Sequence, residues 1–169
     1  NKFHILFVGN EAVRKGALDI LEVAKELVDE NEIFFHFVGE ISEELNLFNI
    51  NNFTSNIIMH GKLEKEELFE IYLKSSLFFL PSYLEGSALV NYEALSFGVP
   101  LLTTFESGSV ISHQQQGYIT NPGDTSEMKK HIMSLFNDKR LQLQLSTNAF
   151  NLSKNYTLKQ YKERLNKVI

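Results

Sequence analysis

The chain predicts an α/β domain built on a parallel sheet of about six strands, with helices covering both faces. Three observations carry this. Short, almost wholly apolar runs end at glycine or enter polar turns. Between them lie segments whose apolar residues recur at helical spacing. The two kinds alternate along most of the sequence, the pattern of a parallel sheet buried on both sides.

The first strand is Phe3-His4-Ile5-Leu6-Phe7-Val8, ending at Gly9. After Gly16, the apolar residues Ala17, Ile20, Leu21, Ala24, Leu27 and Val28 describe one face of a helix. Ile33 to Val38 is a second strand, again followed by glycine. Residues 40 to 56 are polar and rich in asparagine, and read as a short helix and loop. Ile57 to His60 is a third, short strand before Gly61. Leu68, Phe69, Tyr72 and Leu73 mark the next helix, and Leu77 to Leu80 the fourth strand. A helix over Ala88 to Phe97 is closed by Gly98 as a C-cap. Pro100 to Thr104 is the fifth strand and Tyr118-Ile119 a short sixth. Met128, Ile132, Leu135 and Phe136 give a helix with Asp124-Thr125 at its N-terminus. One more helix covers about 138 to 153, and Leu158, Tyr161, Leu165 and Val168 give the last. With no linker, repeat or low-complexity tract visible, residues 1–169 read as a single Rossmann-like, three-layer α/β/α sandwich.

Bulk properties narrow the function. Hydrophobic residues make up 43% of the 169 and charged residues 22%, an ordinary balance for a globular domain. A net charge of −5 without a Lys/Arg run argues against a nucleic-acid surface. Cysteine is absent, which removes disulfides and thiolate metal sites and fits a cytoplasmic setting. No signal peptide or membrane-spanning run is visible. The sequence opens at Asn1 with a strand almost immediately, so a piece of a longer protein is expected.

The chemistry concentrates after two strands. Ligands of parallel α/β sheets bind beyond the carboxyl ends of the strands. Gly9 ends the first strand there, and Arg14-Lys15-Gly16 places two cations at the start of a helix, an arrangement suited to an anion. Neither the Gly-x-Gly-x-x-Gly fingerprint nor a Walker A loop is present. After the fourth strand comes Leu80-Pro81-Ser82, then Glu85-Gly86-Ser87-Ala88-Leu89-Val90-Asn91-Tyr92-Glu93. Ser87 suits an N-cap, which would leave the amides of Ala88, Leu89 and Val90 facing the same crevice as Lys15. Gly86 allows close backbone approach. Glu85 lies in the loop and Glu93 on the helix, and an acceptor-only carboxylate suits paired sugar hydroxyls. Taken singly, Arg14 and Lys15 also read as solvated cations, Glu85 as a turn residue and Glu93 as an exposed helix glutamate. The five histidines do not cluster at metal-ligand spacing; His113 lies in a polar loop within reach of a ligand.

These landmarks, in this order, resemble the C-terminal domain of a GT-B fold glycosyltransferase of the retaining family 4 type, also called glycosyltransferases group 1. Phe7-Val8-Gly9 with Arg14-Lys15-Gly16 is similar to the family's opening strand and basic loop. His60-Gly61-Lys62-Leu63 resembles the turn after its third strand. Pro81-Ser82 and Glu85 with seven residues before Glu93 resemble its Pro-Ser and E-x7-E motifs. Gly98-Val99-Pro100, Gly117 and Pro122-Gly123-Asp124 resemble later turns. Departures are Asn10 where many members have arginine, Ser87-Ala88 in place of Phe-Gly, and Ser107-Gly108-Ser109-Val110-Ile111 where a Gly-Gly-x-x-Glu segment is common.

The resemblance implies one half of a GT-B fold and a nucleotide-diphosphosugar donor. Lys15, with Arg14, would neutralise the diphosphate, helped by backbone near Gly9, Gly86, Ser87, Ala88, Leu89 and Val90. Glu93 would hold the ribose, and Glu85, as the catalytic residue, the donor sugar. No cofactor or metal is expected. Partners would be an N-terminal acceptor domain absent from this chain and a glycan or lipid-linked acceptor, in polysaccharide, lipopolysaccharide or glycoconjugate biosynthesis. The domain alone is expected to be inactive in transfer. Many such enzymes sit at the inner membrane face, although no basic amphipathic helix here argues for it. Two other readings stand beside this one: a non-catalytic nucleotide-sugar-binding module and a GT-B nucleotide-sugar epimerase.

Overall fold

The computed structural model describes residues 2–10, 13–40 and 54–166. The elements run in chain order β1 (Phe3–Val8), α1 (Ala17–Glu26), β2 (Ile33–Val38), β3 (Ile57–Gly61), α2 (Lys65–Lys74), β4 (Leu77–Leu80), α3 (Leu89–Ser96), β5 (Leu101–Thr104), a 3₁₀ turn (Phe105–Ser107), β6 (Gly117–Thr120), α4 (Thr125–Asn137), α5 (Lys139–Ser153) and α6 (Leu158–Leu165). The helix and loop expected over 40 to 56 fall mostly outside the described residues, as does Val168.

All six strands are parallel and form one sheet of order β3-β2-β1-β4-β5-β6. The order reverses between β1 and β4. There the pairing is confined to Ile5 with Leu77 and Leu6 with Phe78, whereas β1 and β2 stay in register from Phe3–Ile33 to Val8–Val38. The reversal sends successive helices to opposite faces and opens a crevice beyond the carboxyl ends of β1 and β4.

Apolar burial fixes the layers. Every residue of β4 and β5 is buried, as expected for central strands covered on both sides. Helix α1 buries Ala17, Ile20, Val23 and Ala24, and Phe3 of β1 packs edge-on against Phe136 of α4 at 5.9 Å between ring centres. Polar bonds tie α1 to α4: Lys129 Nζ lies 3.0 Å from Glu26 Oε2, and Thr125 Oγ1 donates to Glu22 Oε1 at 3.3 Å. Asp124 and Asp138 cap α4 and α5 by accepting from the amides of Glu127 and Leu141, at 3.0 and 2.9 Å.

The histidines are less scattered than their spacing suggests. His4 of β1, His36 of β2 and His60 of β3 form one row across three strands. His4 Nδ1 is 2.8 Å from His36 Nε2, and His36 Nδ1 is 2.9 Å from His60 Nε2. The nitrogens meet in sequence along a line rather than around a common point. His113 is spent on β6: its Nδ1 accepts from the Ile119 amide at 3.1 Å, and its ring sits edge-on to Tyr118 and His131. Among the described residues, no helix is long and apolar enough to cross a membrane.

Candidate functional site

Two loops meet at the switch point, the one after β1 carrying Arg14 and Lys15 and the one after β4 carrying Glu85. The Tyr83 amide donates to the Arg14 carbonyl at 2.9 Å, and Arg14 Nη1 donates to the Leu84 carbonyl. Lys15 lies across Gly9, so close that a Cβ on Gly9 would stand 2.4 Å from Lys15 Cδ. Any side chain at position 9 would therefore displace the lysine. Thus placed, Lys15 Nζ lies 2.9 Å from Glu85 Oε1, with Arg14 Nη2 at 3.6 Å from the same oxygen. That oxygen is buried and lacks an aligned hydrogen-bond donor, so the attraction at the pair is Coulombic rather than directional.

The β4 loop is held from its other side by the turn after β5. The Glu85 amide donates to the Glu106 carbonyl at 3.0 Å and the Ala88 amide to the Ser107 carbonyl at 3.2 Å. Gly108 has φ +63° and its hypothetical Cβ would stand 2.4 Å from the Gly86 carbonyl oxygen, so only glycine brings the turn this near. Buried Asn91 donates from Nδ2 to Ser107 Oγ at 3.3 Å, joining α3 to the same turn. Thr104 Oγ1 donates to the Ser82 carbonyl at 2.5 Å.

This bracing corrects two expectations. Ser87 is not the N-cap of the helix. Ala88 is, in extended conformation and with no side-chain cap. The contact with Ser107 keeps residue 88 out of the helix, and Ser87 Oγ lies 3.3 Å from the Tyr92 hydroxyl instead. The Ala88 amide is consequently occupied. Leu89 and Val90 hold the first two helical positions, where amides have no carbonyl four residues back. At Gly86 a Cβ would meet nothing within 4 Å; the close approach is to its carbonyl, by Gly108.

Glu93 stands apart from the Lys15–Glu85 pair. It is exposed on α3, and its Oε2 accepts from the buried Tyr72 hydroxyl of α2 at 3.2 Å. The structure thus brings together Gly9, Arg14, Lys15 and Glu85, has Gly86, Ser87, Ala88, Leu89 and Val90 follow Glu85 along the chain into α3, and places Glu93 one turn further down the helix.

Sequence reasoning missed several supporting groups. Asp19, on the first turn of α1, is buried; its two oxygens accept from the Tyr83 hydroxyl and the Gly123 amide, each at 3.0 Å. Burial raises its pKa, against the lowering effect of those two hydrogen bonds. Its only sequence signal was an aspartate on the apolar side of a helix. Among the described residues, Ser82 Oγ, Asn91 Oδ1 and Ser109 Oγ are also buried without a hydrogen-bond partner, as is His131 Nε2 on α4; the first three belong to the loops after β4 and β5 and to the start of α3. Unsatisfied buried polar atoms gathered at one place are uncommon in a finished core. A cavity of about 560 Å³ lies at the other end of the sheet, lined by Lys2, Phe3, Glu32, Ser76 and Lys139 among others, and includes none of these residues.

Comparison with known proteins bears on the family and the fold. An uncharacterized glycosyltransferase of Haemophilus influenzae is 30% identical over 162 residues, covering 90% of this chain and 44% of its own length. The chain therefore spans less than half of that relative. The C-terminal domain of a glycosyl transferase group 1 family protein (LpcC) from Francisella tularensis superposes with a TM-score of 0.79 at 19% identity, over 92% of this chain and 87% of that one. The pneumococcal O-GlcNAc transferase GtfA, solved with UDP and GlcNAc, superposes with a TM-score of 0.81 at 22% identity, over 98% of this chain and 35% of that one. At such identities the two superpositions establish the fold, one half of the GT-B architecture. The sequence itself matches the family model of glycosyl transferases group 1 over residues 1–152, and the chain belongs to that family.

Proposed function

We propose that this domain is the donor-binding half of a retaining glycosyltransferase. It takes a nucleotide-diphosphosugar, and the acceptor is a glycan or lipid-linked sugar of a polysaccharide, lipopolysaccharide or other glycoconjugate. The acceptor half is a separate N-terminal domain of the parent protein. The observation that carries the reading is the 2.9 Å approach of Lys15 to Glu85 at the topological switch point. A cation and an acceptor-only carboxylate side by side match a ligand in which an anionic phosphate is joined directly to a polyol.

The roles divide by chemistry. Lys15, with Arg14 beside it, offsets the diphosphate charge, which grows on the leaving group as the glycosidic bond breaks. Fixed cations in a partly buried crevice stabilise that charge in the manner of an oxyanion hole and supply what a metal ion would otherwise supply. The Leu89 and Val90 amides at the uncapped start of α3 point positive dipole ends at the same phosphates. Glu85 takes the donor-sugar hydroxyls and stands near the positive charge developing at the anomeric carbon. Glu93, further along α3, accepts from the ribose hydroxyls. Pneumococcal GtfA, similar in fold and solved in complex with UDP and GlcNAc, supports a nucleotide-sugar as the class of donor.

The test is calorimetric titration of the domain with UDP, GDP and ADP. Saturable binding of one of them, weakened in Lys15→Ala, supports the reading and names the base. A parent chain that binds the nucleotide but never transfers sugar would instead make this a binding module.

A further inference from the structure

We infer that Tyr72 is the positioning residue for the Glu93 carboxylate, and that through it the domain distinguishes ribonucleotides from 2′-deoxyribonucleotides. The inference rests on the proposed role of Glu93 at the ribose. Its own support is the environment of the tyrosine. Tyr72 is completely buried on α2, its ring parallel to Phe97 at 5.1 Å and tilted against Phe78 at 6.0 Å. Phenylalanine would fill that aromatic slot equally well. A hydroxyl in such a place is costly to bury unless it is hydrogen-bonded. Here the bond goes to Glu93 Oε2, on an exposed side chain of a different helix.

The consequence is directional. A surface glutamate has three rotatable side-chain bonds and samples many orientations. Donation from a wholly packed tyrosine ties one carboxylate oxygen to the protein interior. The other oxygen, together with the spare lone pair of Oε2, is left to accept from outside. Two adjacent hydroxyls need such a fixed pair of acceptor sites, and a single hydroxyl does not. Burial, reinforced by the Glu93 charge, raises the pKa of the Tyr72 hydroxyl far above neutrality, so it acts as a donor and not as a competing anion.

The experiment uses the chain as it stands and the nucleoside diphosphate that binds it best, titrated beside its 2′-deoxy analogue. The wild type is expected to favour the ribonucleotide by roughly tenfold, the scale of one hydrogen bond to a charged group. Tyr72→Phe keeps the ring and the fold, checked by its melting curve, and should cut the preference to about threefold or less. Glu93→Ala should abolish it, and adding Tyr72→Phe to Glu93→Ala should change nothing further. Glu93→Gln leaves the core untouched and gives an independent readout. With Tyr72 claiming the amide oxygen, the NH₂ faces the ribose as a neutral donor to the hydroxyl oxygens in place of a charged acceptor, and the preference should fall to about threefold or less. A preference unchanged in Tyr72→Phe, or largely kept in Glu93→Gln, overturns the inference while Lys15-dependent binding leaves the donor-site reading standing. Absence of any nucleotide binding overturns both.

Discussion

Lys15 Nζ and Glu85 Oε1 are 2.9 Å apart across the gap between β1 and β4, and the side chains are only 16% and 12% exposed. Both groups come from loops that begin at strand ends flanking the reversal of strand order. Neither loop would hold its charge there alone. The first prediction concerns the cation. Lys15→Ala should weaken nucleoside diphosphate binding about tenfold to a hundredfold, the scale of a lost hydrogen bond to a charged group. Calorimetry checks it directly; unchanged affinity would remove Lys15 from the site.

Glu85→Gln is expected to separate binding from transfer. The Glu85 charge partly neutralises Lys15, so removing it leaves the lysine more available to phosphate. A free nucleoside diphosphate should therefore bind the variant at least as well as the wild type. Sugar transfer by the parent enzyme should fall, because the developing positive charge loses its nearby carboxylate. Titration of the domain paired with a transfer assay on the parent chain tests the division. A weaker diphosphate affinity in the variant would contradict it.

The strands and helices were legible because burial dictates their composition. β4 and β5 are apolar throughout apart from Thr103 and Thr104, and the predicted spans lie within a residue or so of those found. Lys15 and Glu85 could be singled out because they follow strand ends in an ordered set of turns, and Glu93 because it lies on the helix after Glu85 with seven residues between them. What stayed hidden is whatever depends on contact between distant segments. Ser87 is the residue type that caps helices, yet the Ala88 amide is taken by Ser107, nineteen residues on (107 − 88), and the helix starts late. The row of His4, His36 and His60 exists because three strands pair in parallel and each histidine lies two residues on from the partner of the one before, His36 after Phe34 and His60 after Ile58. Spacing along one strand carries no trace of either.

Asp19 should prove a structural clasp whose loss is felt at the crevice. Removing it in Asp19→Ala leaves the Tyr83 hydroxyl and the Gly123 amide without their acceptor, at about 1–3 kcal/mol for each group that stays dry. Asp19→Asn retains one acceptor oxygen and should cost less. Urea denaturation of the two variants gives the comparison. Equal loss in both would mean that the charge, and not the pair of accepted bonds, holds the loop.

The last prediction follows from the proton count of the histidine row. Three neutral imidazoles carry three ring protons. Two of them fill the His4–His36 and His36–His60 contacts, and the third sits on an outer nitrogen. One further proton fits on the remaining outer nitrogen with both contacts intact; a second breaks one of them. Burial, with His4 and His60 alongside, pushes the His36 pKa down to about 4 from its ordinary 6.5, and burial lowers His4 and His60 as well. Among the described residues, Lys2 is the other charged group acting on the row, and it lowers His4 further. Because the folded pKa is below the unfolded one, the unfolded chain binds protons first as pH falls. Stability is complete above about pH 6.5 and declines down to about pH 4. A tenfold difference in proton affinity between the folded and unfolded chain is worth about 1.4 kcal/mol. Discounting for the solvent that reaches the half-buried ring leaves on the order of 1–2 kcal/mol from His36. Urea midpoints at pH 7.5 and pH 5 should differ for the wild type and differ less for His36→Gln. An equal pH dependence in the two proteins would place the titrating groups elsewhere.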